Sequence, residues 1–378
     1  MNKNFFYNRH HIDKNDIKHV VNSLKSNLIT KGNYLKKFEK KLSKLFGSKF
    51  SIATSNATSA FDIISSSLEF KRNEIAILSA NTFCSCANSL SKFKIKFEFC
   101  DIKNDEPNMD PNQLEKEIIL NKKLGKKVKL VVITDYAGIP ADWEKFKKLK
   151  SKYNFILIND NCHALGSTYK NRADYACKYA DLVVQSFHAV KNITTAEGGA
   201  ILTNSSMHYK LLIKLREHGF TKKNYWTYDL ISPGFNSRLS EMQCALGYSQ
   251  LDKLNKFLKK RKKIANFYIN YFKNNKFIST PSFSDEKNPS YHLFFLRINF
   301  KEIKLKRDVM IKKLQKSNIF LQVHYIPTYK FQRYKKLFNK NKLKNTEDFY
   351  NQTVSIPIYF DLKIKDQKFI CDKISNFL

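Results

Sequence analysis

Lys191 ends the segment Ser186-Phe187-His188-Ala189-Val190-Lys191, which gathers a hydroxyl, an aromatic ring, an imidazole and an amine directly after an apolar run. A lysine amine can condense with a carbonyl and afterwards carry protons. One lysine in a lysine-rich chain signals little, so the weight falls on its surroundings, including Thr194-Thr195-Ala196-Glu197-Gly198-Gly199 just beyond it. Asp160 closes a second apolar run, Phe155-Ile156-Leu157-Ile158-Asn159-Asp160, with His163 shortly after. A carboxylate there can hold a nitrogen base protonated, or can simply cap a helix. Ser55-Asn56-Ala57-Thr58-Ser59-Ala60 stands between an apolar run and a helical stretch. Amides and hydroxyls at such a place, here Thr58 and Ser59, can bind phosphate; taken alone, a helix cap is the better reading.

The elements that must position these residues follow from the apolar pattern. Leu130-Val131-Val132-Ile133-Thr134, Phe155-Ile156-Leu157-Ile158, Leu182-Val183-Val184 and Ala200-Ile201-Leu202-Thr203 read as buried strands between helices. Continuous apolar strands of this kind predict a mostly parallel sheet covered on both faces, with ligands beyond the carboxyl ends of its strands. Asp135, Asp160 and Ser186 all stand at those ends. Ser240-Glu241-Met242-Gln243 has the pattern of a capping box, with Leu239 and Cys244 as a hydrophobic staple. It predicts one long helix through Leu246 and Leu251 toward Tyr268, linking two domains. Beyond about residue 270, Tyr291 to Ile298 and Leu321 to Tyr325 read as strands separated by helices. The expected architecture is α/β, with residues 1–252 forming a large domain with an N-terminal helical segment and residues 253–378 a small α+β domain.

Composition bounds the partners. The chain has 378 residues, 42% of them hydrophobic, and a formal charge of +35. Such a charge raises a polyanion-binding protein as an alternative. The basic residues are nearly all lysine and are spread along the chain together with abundant Asn, Ile and Phe, which reads as coding bias. The densest run, Lys259-Lys260-Arg261-Lys262-Lys263, is expected on a solvated helix face. The field it creates would still help recruit small anionic substrates. The cysteines Cys84, Cys86, Cys100, Cys162, Cys177, Cys244 and Cys371 are odd in number and irregularly spaced, so packed, reduced thiols are expected instead of disulfides or a metal site. Neither a secretory signal nor an apolar run of membrane-spanning length is visible, which predicts a cytoplasmic protein without a membrane or nucleic-acid partner.

The candidate residues are the parts that a pyridoxal 5'-phosphate (PLP) site requires: a lysine for the Schiff base, an acid for the pyridine nitrogen, donors for the phosphate and an aromatic cover. Their order along the chain resembles the DegT/DnrJ/EryC1/StrS sugar aminotransferases, which are fold-type-I PLP-dependent transferases. The resemblance runs from Leu28-Ile29-Thr30-Lys31-Gly32 and Phe38-Glu39 through Ser55 to Ala60, Asn81-Thr82-Phe83 and Asp135 to Asp142. It continues through Asp160 to Ser167, Ser186 to Ala200, Arg216-Glu217-His218-Gly219 and Gly234-Phe235-Asn236-Ser237-Arg238-Leu239-Ser240. It implies that Lys191 carries PLP, that Asp160 pairs with the ring nitrogen and that His163 lies on the ring-hydroxyl side. Phe83 would stack on the ring, and Thr58, Ser59 and Ser186 would hold the phosphate. Asn236 would reach the phosphate of a neighbouring subunit, which implies a homodimer with shared sites. Thr30, His188, Arg238, His324 and Tyr325 are the implied substrate contacts.

Five positions depart from the family pattern. Asn159 replaces an acid, Asn161-Cys162 replace two small residues, Ser237 replaces a tyrosine and Ala196 replaces a glycine. Some members carry histidine in place of the Schiff-base lysine and act as dehydratases; Lys191 is retained here, which favours transamination, with glutamate as the family's usual donor. Gly234 to Gly247, Ser186 to Thr195 and Gln322-Val323-His324-Tyr325-Ile326-Pro327 are similar to a subgroup whose acceptor is a UDP-linked 4-keto-6-deoxy sugar of the pseudaminic acid pathway. A dTDP- or GDP-linked keto sugar is the alternative acceptor.

Overall fold

The computed structural model describes residues 3–338 and 342–377. Its centre is a seven-stranded sheet built from β1 (Phe50–Thr54), β2 (Glu74–Ser79), β3 (Phe97–Cys100), β4 (Lys127–Thr134), β5 (Ile156–Asp160), β6 (Leu182–Ser186) and β7 (Gly199–Thr203). The strands lie in the order β1-β7-β6-β5-β4-β2-β3. β7 is antiparallel to both of its neighbours, while the pairs from β6 to β3 are parallel.

Alternate side chains of each strand enter different cores, because successive Cβ atoms point to opposite faces. Val131, Ile133, Leu157 and Val183 pack with Phe38, Trp143 and Phe146 on one face. Leu130, Val132, Ile158 and Val184 pack with Ile63, Ile64 and Leu90 on the other. Burial on both faces is what the unbroken apolar runs require. The registers set the carboxyl ends of β4, β5 and β6 side by side: Thr134 pairs with Asp160, and Asp160 with Val184.

A third core holds the remaining elements. It combines Ile264, Tyr268 and Phe272 with Ile370 and Ile374, and with an antiparallel sheet of Ile278–Ser279, Phe294–Ile298 and Thr353–Ile356. Phe5 joins this core, because Phe5–Phe6 pairs in parallel with Ile319–Phe320.

Four sequence expectations change. The predicted long helix is two helices, Glu241–Asp252 and Leu254–Phe272, which meet at Lys253. The capping box and its buried flanks Leu239 and Cys244 are present, but a start signal says nothing about an internal break. At the break, Lys253 Nζ pairs with Asp13 at 2.9 Å and with Asp16. The second helix buries Leu254 and Phe257 in the first core and Ile264 to Phe272 in the third.

The strand expected over Leu321 to Tyr325 is absent apart from one bridge at Gln322; the strand lies just before it, at Ile319–Phe320. Side chains replace the ladder there: the Tyr136 hydroxyl takes the His324 carbonyl, and His324 Nδ1 meets Ser355 Oγ at 2.8 Å. The strand expected from Tyr291 begins only at Phe294. Tyr291 has φ +50, a left-handed conformation unfavourable for a bulky side chain.

Arg261 explains how that kink is held. Instead of lying on a solvated face with Lys259, Lys262 and Lys263, it is buried. Its guanidinium donates to the carbonyls of Tyr291, His292 and Ile358 at 3.0–3.2 Å and to Asn8 Oδ1 at 3.0 Å. Burial lowers its pKa to about 10. Among the described residues no carboxylate pairs with it; four neutral oxygens do that work.

Candidate active site

A cavity of about 660 Å3 opens beyond the carboxyl ends of β4, β5 and β6. It is lined by Thr58, Ser59, Phe83, Asp160, His163, Ser186, His188, Lys191, His324 and Tyr325, all expected from the sequence. Its size accommodates a cofactor and a substrate together.

Lys191 sits in a loop between the antiparallel strands β6 and β7. The loop is pinned at its base by Phe187 N–H to the Gly198 carbonyl at 2.8 Å and Thr195 N–H to the Phe187 carbonyl at 2.9 Å. The Phe187 ring anchors it in the core against Phe38, 5.2 Å away. Ala196 takes φ +65, which accounts for the glycine usual at this position; alanine bears a strain of about 1–2 kcal/mol there. The Lys191 amine makes no hydrogen bond or ion pair among the described residues. Burial lowers its pKa, opposed by the nearby Cys162 and Asp160.

Asp160 is buried and oriented from three directions. Thr82 and Thr134 hydroxyls reach its Oδ2 at 3.4 Å, and the Cys162 amide reaches Oδ1 at 3.3 Å. Behind it lies a second buried carboxylate, Asp135. It accepts from the Ala141 amide (2.8 Å), Trp143 Nε1 (3.0 Å), Asn159 (3.1 Å), Asn161 (2.9 Å) and the Tyr175 hydroxyl (2.7 Å). Burial still raises its pKa to about 6. This hub explains two of the departures: an acid at 159 would set a second carboxylate against Asp135, whereas Asn159 and Asn161 donate to it.

The end of the cavity lined by Thr58 and Ser59 is a helix start. Ala57–Ser67 is capped by Asn56, whose Oδ1 accepts from the Ser59 amide at 2.8 Å. The cap reading holds, and the other first amides of the helix have no intrahelical acceptor. β7 must pass directly beneath them: a Cβ on Gly199 would lie 2.5 Å from Asn56 C and 2.6 Å from Ala57 N. Ser186 faces the same end, accepting from the His188 amide at 3.4 Å.

The opposite wall comes from the third core and the N-terminal arm. Tyr7, His292, His324 and Tyr325 line it. His163 meets His292 at 4.5 Å between ring centroids, and Tyr7 meets His324 at 4.8 Å. Burial pushes the pKa of His163 and His292 well below the usual imidazole range and that of His324 to about 3, and the Lys191 charge adds to each shift. All three rings are neutral at physiological pH.

The donor set fits PLP. A lysine amine and a fixed carboxylate face one cavity, a helix start and three hydroxyls stand at one side, and the Phe83 ring lies half-exposed at its edge. A model of the DegT/DnrJ/EryC1/StrS aminotransferase family matches residues 10–375. The chain belongs to this family. As a member it is a PLP-dependent aminotransferase. It is 37% identical to the UDP-4-amino-4,6-dideoxy-N-acetyl-β-L-altrosamine transaminase of Campylobacter jejuni, over 98% of this chain and 97% of that one. It is 36% identical to the Helicobacter pylori transaminase of the same name, with the same coverage. Among solved structures it is similar to Helicobacter pylori PseC, an aminotransferase in pseudaminic acid biosynthesis (TM-score 0.91, 35% identity, 99% of each chain). It is also similar to the PLP form of a putative sugar aminotransferase from Streptococcus pneumoniae (TM-score 0.89, 26% identity, 99% and 98% covered).

For this aminotransferase, three expected residues lie outside the cavity. Thr30 and Asn236 are exposed. Arg238 borders a separate cavity of about 490 Å3 with Lys31, Lys214, His218 and Tyr228. Other cavity residues were missed. Tyr7 falls in a segment read only for targeting, and His292 in one read as an ordinary strand. Thr82 and Thr134 stood inside the quoted motifs, but nothing in the sequence shows that both aim at Asp160. All seven cysteines are free, five of them buried. No helix among the described residues is long and apolar enough to cross a membrane.

Proposed function

We propose that this aminotransferase moves the amino group of L-glutamate to C4 of a nucleotide-linked 4-keto-6-deoxy sugar, UDP-2-acetamido-2,6-dideoxy-β-L-arabino-hexos-4-ulose. The observation that carries the reading is the coincidence of the Lys191–Asp160 cavity with near-complete coverage by transaminases of that product. PLP, when bound, supplies the electron sink for the carbon that gains or loses the amine. Lys191 Nζ takes the proton from Cα of the amino donor, and in the second half-reaction delivers a proton to C4 of the sugar. Its burial favours the neutral amine needed to act as a base. Asp160, fixed by Thr82 and Thr134, would keep the cofactor's ring nitrogen protonated. Thr58, Ser59, Ser186 and the helix amides would hold the phosphate.

Homodimerisation belongs to the same reading. Thr30, Asn236 and Arg238 fall outside this protomer's cavity, as residues would that serve a partner's site. Exposed Leu28, Ile29, Trp226, Tyr228, Leu230 and Ile231 flank them in sequence, apolar surface of the kind that interfaces cover. The division at residues 252 and 253 lies at the break between the two helices. A cytoplasmic site accords with the free thiols.

The test is to give purified, PLP-loaded protein glutamate and then UDP-, dTDP- or GDP-linked 4-keto sugars. Formation of the UDP-linked 4-amino product with stoichiometric 2-oxoglutarate is the expected result. Preference for a dTDP- or GDP-linked acceptor would overturn the substrate, and absence of glutamate-driven amination with every acceptor would overturn the function.

A further inference from the structure

We infer that Tyr325 is an oriented hydrogen-bond donor to a ligand oxygen inside the cavity, and that His163 sets its direction. The Ala137 N–H donates to His163 Nδ1 at 3.2 Å. An amide nitrogen cannot accept, so Nδ1 carries no proton and the neutral imidazole holds its proton on Nε2. Nε2 lies 2.8 Å from the Tyr325 hydroxyl oxygen, so that N–H donates to the phenol. The phenol's own proton must point elsewhere, and no acceptor for it exists among the described residues. Tyr325 lines the cavity. Its ring is braced against Phe83 at 5.4 Å, and the carbonyl before it is held by Tyr136. Burial keeps the imidazole neutral and the phenol protonated, so the polarity of the chain from amide to imidazole to phenol does not invert near neutral pH.

Two ligand oxygens have the required chemistry: the ring oxygen of PLP and the keto oxygen of the acceptor sugar. The second source rests on the proposed function, the first does not. His163 itself has no N–H left for either, so the hydroxyl of Tyr325 takes over that contact.

The experiment compares the holoenzyme with Tyr325→Phe. In histidine-labelled holoenzyme, 15N NMR should show His163 bare at Nδ1 and protonated at Nε2; a protonated Nδ1 overturns the inference. If the cofactor oxygen is the acceptor, Tyr325→Phe shifts the visible PLP band and weakens PLP binding about tenfold. If the keto oxygen is the acceptor, band and PLP affinity hold, and amine delivery to the sugar slows about 100-fold while the glutamate half-reaction falls far less. Unchanged band, affinity and half-reactions, or an equal fall in both half-reactions with an unmoved band, overturns the inference. Adding His163→Gln to Tyr325→Phe should do little further damage, because the two act as a unit; additive losses would remove His163 from its orienting role. Should the unaltered enzyme aminate no keto sugar nucleotide, the proposed function fails, while the NMR and band measurements still decide this inference.

Discussion

The two ends of the cavity are built differently. The end that holds Asp160, Ser186 and Lys191 is made of two strand ends and the loop between β6 and β7 in one sheet, with Thr58 and Ser59 on the helix that follows β1. Short-range rules place each of these side chains: an apolar strand, a polar residue at its carboxyl end, a capped helix start. The wall of Tyr7, His292, His324 and Tyr325 is made of three separate segments whose backbones are irregular. They are held by Arg261, Ser355 and Tyr136, far away in sequence. The first end carries an amine, a carboxylate and hydroxyls. The second carries neutral rings whose hydrogen bonds have fixed directions. In the proposed function, reaction chemistry rests on the sheet, while the wall is free to determine what is bound.

The largest expected effect separates the two ends directly. Lys191→Ala should lower turnover by more than about 1,000-fold while PLP remains bound non-covalently, seen as loss of the Schiff-base band. A variant with turnover near that of the unaltered enzyme would remove Lys191 from the site. Asp160→Asn keeps the shape but loses the charge, and should cost about 100- to 1,000-fold in both half-reactions alike. If only the sugar half-reaction suffered, the sheet end would not be the common chemical centre.

The wall should break through stability. Arg261→Met leaves the buried Tyr291 and Ile358 carbonyls without their donor and takes one of two donors from the His292 carbonyl and Asn8 Oδ1; it should cost about 3 kcal/mol, measured by urea unfolding at fixed PLP. The surviving folded enzyme should show a raised KM for the acceptor sugar. A loss below about 0.5 kcal/mol would show that Arg261 does not hold the wall.

The smallest effect is a pH dependence. His163, His292 and His324 stay neutral in the fold to a pH well below the value of about 6.5 at which an unfolded imidazole charges. Their folded pKa is depressed, so as the pH falls below about 6.5 the unfolded chain binds protons that the fold does not. Each ring then removes up to about 1.4 kcal/mol of stability per pH unit, a loss that for His324 continues to its folded value of about 3. Asp135 opposes this: its folded pKa of about 6 is raised, so its contribution is present at low pH and lost as pH rises from about 4 to 6. His292→Leu should flatten the acid limb by about one proton; an unchanged slope would mean that this ring is charged in the fold.

The strands were legible because each is a continuous apolar run ending in a polar residue, and the sheet end of the site followed from them. The break at Lys253 was not, because it depends on Asp13 and Asp16 more than two hundred residues earlier. Arg261 read as one of a basic run because burial depends on which helix face meets the small core, and a cluster of charges hides that face. Asn159 and Asn161 looked like unexplained departures until Asp135 appeared beside them.

Sequence alone determined the alternation of strands and helices, a helix cap within Ser55 to Ala60, the position of Asp160 at a strand end and of Lys191 shortly after another, and the family to which they belong. These rest on interactions between residues near in sequence, or on motifs whose order is itself the signal. Only the tertiary structure decided which imidazoles are neutral, where the Tyr325 hydroxyl points, what holds Asp160 and which expected contacts lie outside the cavity. Burial and hydrogen-bond direction are properties of neighbours brought together from distant segments, and no single stretch of the chain encodes them.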